Sequence, residues 1–189
     1  MNLTPEILLN AYCQGLFPMA EEDGSIYWYD PDPRAIIPLD GLHISRSLKR
    51  RIRQGGFSVK YNTAFKEVMI ECAKSAPGRE QTWISREFIE VYTELYELGF
   101  AHSIEIWIQN KLVGGIYGVA VKGLFAGESM FSRVTNASKI ALVYLVEHLQ
   151  ENNFTLFDIQ YITDHLKGFG AVDISRAEYK SRLAQALNV

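Results

Sequence analysis

Three residues sit where a polar group costs free energy unless it is put to use. Glu128 stands in the apolar run GLFAGESMFSR (Gly123–Arg133), and Asp158 and Gln160 stand in a second run, FTLFDIQYI. A charged side chain inside what reads as buried strand must be paired, hydrated or functional. In TLFDIQYI, strand alternation puts Leu156, Asp158 and Gln160 on one face and Phe157, Ile159 and Tyr161 on the other. Asp158 and Gln160 can therefore point at one substrate together. A carboxylate and an amide so placed can hydrogen-bond one ligand, and the carboxylate can move a proton.

The stretch between the two runs, NASKIALVYLVEHLQ, has helical periodicity. The runs thus read as adjacent strands joined by a helix, and the rest of the chain reads as walls and docking surface. Its 189 residues make one substantial domain, or one domain with a small N-terminal subdomain. Hydrophobic residues at 48% and aromatics at 12% are enough for a sizeable core. A net charge of -3 gives no bulk attraction to nucleic acid, so any such contact needs a local patch. Cys13 and Cys72 form neither a disulfide framework nor a metal-spaced cluster, which points to a reduced, cytoplasmic setting. The first residues have no basic n-region and no long apolar core of a signal peptide, and no run is long enough to span a membrane.

From the N-terminus, Thr4-Pro5-Glu6 opens a short helix through Leu8, Leu9 and Tyr12, ending at Gly15. Leu16–Pro38 reads as irregular and aromatic, because its prolines and aspartates exclude a long helix. Ser45 caps a helix in HISRSLKRRIRQGG that turns Leu48 and Ile52 inward. Arg46, Lys49, Arg50 and Arg53 fall at i, i+3, i+4 and i+7, with Arg51 to one side. Such a stripe is either a solvated face or a grip on phosphate. Five cations and no acid in eight residues of an acidic chain make the second reading plausible.

Beyond it, FSVKYN alternates as a strand and Ala64–Ala76 reads as a helix. PGREQTWI is a loop bearing Trp83, and Ser85 caps a helix to Leu98. AHSIEIWIQ and LVGGIYGVAV form a hairpin about Asn110-Lys111. Gly123–Phe131 is a third strand, Asn136–Asn152 a helix, Phe154–Ile162 a strand, and Arg176–Leu187 a closing helix. The expected fold class is α+β: a mixed sheet flanked by helices, in the order of the N-acetyltransferase type of acyltransferase. Residues 1–56 are expected to form the small N-terminal subdomain and residues 57–189 the catalytic domain.

Seven blocks in this order resemble one family. They are WYDPDPR (Trp28–Arg34), HISRSL (His43–Leu48), TWI (Thr82–Ile84), AHS (Ala101–Ser103), LVGGIYGV (Leu112–Val119), GESMFSR (Gly127–Arg133) and the D-x-Q of Asp158 and Gln160. Together they resemble the leucyl/phenylalanyl-tRNA–protein transferases over nearly the whole chain. The pattern departs from the family at Tyr29, where Trp or Phe is expected, and in a shorter N-terminal part.

The resemblance implies an aminoacyltransferase of the N-end rule. Leu or Phe, with Met as a further donor, would pass from aminoacyl-tRNA to the α-amine of proteins that begin with Arg or Lys. Neither metal nor coenzyme is implied, and a monomer is expected. Aminolysis of an ester needs a neutral amine, a stabilised oxyanion and a proton for the leaving oxygen. Asp158 is then expected to hold the α-ammonium and Gln160 to orient amine or ester. Glu128 would meet the acceptor's cationic side chain or fix the surrounding network. Trp28, Tyr29, Trp83, Met130, Phe131 and Ser132 are the expected substrate-binding walls, and Arg46, Lys49, Arg50 and Arg53 the tRNA contact. The competing reading is an acetyl-coenzyme A-dependent acetyltransferase. That class needs a glycine-rich turn to grip pyrophosphate, and SRVTNASK has none.

Overall fold

The structure, a computed structural model, describes residues 3–21, 23–74 and 82–188. The N-terminal third contributes α1 (Pro5–Cys13), a two-stranded hairpin of β1 (Phe17–Ala20) and β2 (Ile26–Tyr29), then β3 (Arg34–Ile36) and α2 (Arg46–Gln54). There follow β4 (Ser58–Tyr61), α3 (Phe65–Ala73), α4 (Arg86–Glu97), β5 (Ala101–Ile108), β6 (Lys111–Val121) and β7 (Leu124–Ser132). The chain ends with α5 (Ala137–Glu151), β8 (Leu156–Gln160), α6 (Asp164–Lys167), β9 (Val172–Ile174) and α7 (Arg176–Ala186). Residues 75 and 76 of the expected third helix, and 77–81 of the loop before Trp83, lie outside the described residues.

Seven strands form one mixed sheet in the order β4-β5-β6-β7-β8-β3-β9. Among the described residues only β7 and β8 pair in parallel, because α5 crosses over between them; the other pairings are antiparallel. β3 comes from the segment that reads as irregular, yet it is wedged between β8 and β9. The expected division after residue 56 is therefore crossed by a strand of the main sheet. Its three residues are too few to show a period, and the flanking prolines mask it.

Helices cover both faces of the sheet. Side chains of α1, α3, α4 and α7, among them Leu8, Val68, Phe88 and Leu183, build a core on one face. On the other face, Leu142, Leu145 and Leu149 of α5 pack with Leu48 of α2 against Ile104, Ile116 and Phe157. α5 is apolar on most sides because it lies between sheet and α2, and its N-terminus presses close. A Cβ on Gly114 would stand 2.4 Å from that of Ala137.

The β5–β6 turn centres on Gln109 and Asn110, both at positive φ, one residue before the expected Asn110-Lys111. That pair of left-handed residues is what a two-residue type I′ hairpin requires. α3 has Ala64 at its N-cap and no capping side chain of its own. Glu105, fully buried on β5, does the work instead, accepting from the Thr63 and Ala64 amides at 3.0 Å each and from the Ser103 hydroxyl at 2.7 Å. Its acid is thereby committed to the helix terminus.

Candidate active site

Glu128 owes its position to a β-bulge. In the β6–β7 ladder Tyr117 faces Ser129 and Gly118 faces Gly127, which leaves Glu128 opposite no residue. Such an insertion re-aims a side chain and reverses the alternation that follows. Accordingly Ala126 and Phe131 belong to the core of the α1/α4 face, while Met130 packs toward α5. Gly118 permits the close approach: a Cβ there would meet the Ala126 carbonyl at 2.3 Å.

The re-aimed Glu128 enters a polar cluster beneath α1 and α4. Its Oε1 accepts from the Tyr12 hydroxyl at 2.7 Å and from the Gln160 amide nitrogen at 3.0 Å. The Tyr12 hydroxyl in turn lies 2.5 Å from that of Tyr92. Oε2 of Glu128 is sealed from solvent and has no hydrogen-bond partner. Burial pushes the Glu128 carboxyl up to about 8; the Asp158 charge adds to this, while Tyr12, Arg34 and Gln160 oppose it. Burial, followed by the Glu128 charge, also drives the Tyr12 and Tyr92 phenols well above their ordinary value.

Asp158 lies on the same face, opposite Ala126 of β7 and Ile36 of β3. It is 0% exposed, and Arg34, at 1%, grips it bidentately through Nε at 2.9 Å and Nη2 at 2.6 Å. The Tyr179 hydroxyl donates to Oδ2 at 2.8 Å, and the backbone amide of Gln160 donates to Oδ1 at 2.9 Å. Both oxygens of Asp158 are therefore taken. Arg34 is satisfied in turn, donating to the Gly15 carbonyl and lying between the Phe17 and Tyr179 rings at 4.7 and 4.4 Å. Burial works against the Arg34 charge, but Asp158 outweighs it and holds the guanidinium above its ordinary value. Burial and then Asp158 raise the Tyr179 phenol.

The bond from Gln160 N to Asp158 Oδ1 has a further effect. Gln160 adopts φ +65°, a left-handed conformation uncommon for a side-chain-bearing residue. Holding its amide there turns the side chain toward Glu128. Strand alternation brings Asp158 and Gln160 to one face, but the turn at Gln160 is what separates their tasks.

The remaining expected residues are dispersed. Trp28 is 39% exposed on β2, and Tyr29 stacks on Phe17 at 5.8 Å with its hydroxyl on Glu21. Trp83 packs edge-on against Phe88. Met130 and Phe131 face opposite sides of the sheet, so they do not wall one pocket. Ser132 is engaged in the turn before α5, donating to the Val134 carbonyl at 2.8 Å and accepting from the Ser138 amide at 3.1 Å. Arg46, Lys49, Arg50 and Arg53 are all exposed on α2, and none makes an ion pair among the described residues. Arg51, off the stripe, caps the Gly55 carbonyl and lies over Phe57.

Four residues that complete the cluster have no role in the sequence reading: Arg34, Tyr12, Tyr92 and Tyr179. Arg34 sits within the DPDPR block, so that block was its one local signal. The tyrosines lie at helix core positions and look like ordinary filling.

Carboxylates, an amide and phenols thus converge beside the parallel strand pair, a set of groups of the kind that acid–base chemistry uses. Comparison with known proteins narrows this class. The chain belongs to the leucyl/phenylalanyl-tRNA protein transferase family, whose model matches residues 36–184, with the model of that family's N-terminal domain matching residues 1–32. The two models meet close to β3, ahead of the division expected at residue 56. Two relatives carry the name leucyl/phenylalanyl-tRNA–protein transferase. That of Herpetosiphon aurantiacus is 55% identical over 186 residues, covering 98% of this chain and 95% of its own. That of Rhodospirillum rubrum is 51% identical over 191 residues, covering 100% and 90%. Among solved structures, L-PGS from Bacillus licheniformis matches with a TM-score of 0.45 and 14% identity. This chain covers 51% of that one and is itself covered to 80%, a likeness too distant to bear on function.

Proposed function

We propose that this chain transfers Leu or Phe from aminoacyl-tRNA to the α-amine of proteins beginning with Arg or Lys, creating an N-end-rule signal. The element order also fits the N-acetyltransferase type of fold, and we propose that assignment with it. No helix among the described residues is long and apolar enough to cross a membrane. Family membership over the whole chain supports the reaction. The observation that carries the site is the partnerless Oε2 of Glu128 beside the Gln160 amide, in a residue that is itself only part-buried: an acceptor awaiting an N–H donor.

In this reading the α-ammonium of the acceptor protein binds Glu128 Oε2. A free α-amine has a pKa of about 7.7–8.0, so a carboxyl at about 8 is matched to take its proton. The amine nitrogen then attacks the ester carbon and the bond to the tRNA 3′-oxygen breaks. The proton that Glu128 holds passes to that oxygen, and the second proton shed by the attacking nitrogen goes to the Glu128 carboxylate so freed, from which solvent takes it. Gln160 steers the amine, and Asp158, saturated by Arg34 and Tyr179, holds Gln160 in its turned conformation. Positioning of this kind supplies much of the rate in aminolysis. Exposed Trp28 offers a face for stacking the terminal adenine, worth about 1–3 kcal/mol.

Incubation with charged Leu-tRNA and an Arg-initiated peptide should yield Leu-Arg-peptide, with acetyl-coenzyme A left untouched in a parallel reaction. Consumption of acetyl-coenzyme A with no aminoacyl transfer would sink the proposal in favour of the acetyltransferase. The basic helix has its own test. Gln at Arg46, Lys49, Arg50 and Arg53 should weaken tRNA binding uniformly across tRNA sequences and flatten its salt dependence. A small aminoacyl-adenosine donor should be used as before. An unchanged salt slope would leave α2 as a solvated face.

A further inference from the structure

We propose that Tyr12 is a positioning residue of the transfer reaction: from α1, its hydroxyl, locked by that of Tyr92 on α4, fixes the Glu128 carboxylate so that Oε2 alone is left for substrate. The proposal rests on the reading of Glu128 given above. α1 thereby belongs to the machinery of the site rather than to an appendage.

Direction and distance support it. Tyr12 donates its proton to Oε1 at 2.7 Å, the one direction open to the contact when Glu128 is ionised, since a carboxylate only accepts. The Tyr12 oxygen is then free to accept from Tyr92 at 2.5 Å, which gives a chain Tyr92→Tyr12→Glu128 whose members polarise one another. Both phenols are buried, Tyr12 at 1% and Tyr92 at 0%, in a core that demands no hydroxyls. Phenylalanine would fill the same volume, and each phenol must instead be satisfied where it lies. The terminal torsion of a glutamate is broad. With the Gln160 amide alone on Oε1, the carboxylate can swing and carry Oε2 away from the amine. Facing Glu128 are Tyr12 from α1, Tyr92 from α4, Asp158 and Gln160 from β8, and Arg34 from β3. Of these only Tyr12 and Gln160 donate directly to Oε1.

The test is Tyr12→Phe in the full chain, assayed with charged Leu-tRNA and an Arg-initiated peptide across pH 6 to 9.5. The expected result is a loss of about 10²-fold in kcat with the peptide KM little changed. The pH optimum should also move upward, because the Tyr12 hydrogen bond lowers the Glu128 pKa and its removal lets that value rise. Loss of a merely structural contact would lower stability without moving the optimum. Tyr92→Phe should show the same shift in smaller measure, since Tyr12 keeps its own bond to Glu128. Should Tyr12→Phe fail to fold, the Tyr92→Phe profile decides alone, and an unmoved optimum there overturns the proposal. A folded Tyr12→Phe enzyme with wild-type kcat and pH profile overturns it as well. If Glu128→Gln turns the bell into a steady rise while Tyr12→Phe leaves the wild-type optimum in place, only the tyrosine proposal fails. If the bell survives Glu128→Gln, the reading of Glu128 itself has failed.

Discussion

Replacing Asp158 with Asn is expected to damage the fold before it reports on the chemistry. The substitution leaves the Arg34 guanidinium, 1% exposed, without its counter-charge. Breaking a buried pair from one side costs about 3–5 kcal/mol, a large share of the stability of an ordinary domain. Arg34→Met should cost a similar amount, because it strands the carboxylate instead. Arg34→Met combined with Asp158→Leu should recover much of the loss, since no buried charge then remains unpaired. That double variant should be folded and nearly inactive, because nothing holds the Gln160 amide at its positive φ. Urea unfolding of the four proteins, with transfer assays on those that fold, checks both halves. Additive losses across the cycle would mean that the two charges are not coupled, and full activity in the double variant would remove Asp158 from the positioning of Gln160.

Glu128→Gln should slow transfer by about 10²–10⁴-fold and change the shape of its pH dependence. In the wild type the productive complex carries one proton shared between Glu128, at about 8, and an α-amine at about 7.7–8.0. Below that range both groups are protonated, and above it neither is. The plot of kcat/KM is therefore expected to be bell-shaped with its maximum near pH 8. Glutamine cannot titrate, so the variant should rise steadily as the free amine loses its proton. A bell that survives the substitution would exclude Glu128 as the proton carrier. If instead the variant turns over normally but no longer prefers Arg- or Lys-initiated peptides, Glu128 reads the acceptor's side chain and not its α-amine.

What the sequence revealed of this site, and what it concealed, follows from the range of the interactions. Glu128, Asp158 and Gln160 stand out because local apolar context makes a polar residue conspicuous. The helix between the runs and the cationic stripe of α2 follow from periods within single elements. The bulge at Glu128 and the left-handed turn at Gln160 each break a period, so alternation carries on past them and misplaces what comes next. Met130 and Phe131, consecutive on β7, face opposite sides of the sheet by alternation alone, and the bulge decides only which of the two meets the α1/α4 core. The partners are hidden for another reason. Tyr12 meets Glu128 across 116 positions and Arg34 meets Asp158 across 124, distances over which no local pattern extends. β3 is invisible on both counts, being three residues long and paired only with strands made much later.

That strand also sets a timetable. β3 leaves the ribosome early, yet both of its partners, β8 and β9, belong to the last third of the chain. At about 5–20 residues per second, the ribosome needs roughly 6–25 s to travel from Arg34 to Asp158. For that interval Arg34, Ala35 and Ile36 have no sheet to join, whatever has formed between β4 and β7. Closure of such distant pairings is slow even in a finished chain. The buried ion pair is thus among the last contacts made, and a nascent chain stalled before β8 lacks the strand that supplies both Asp158 and Gln160.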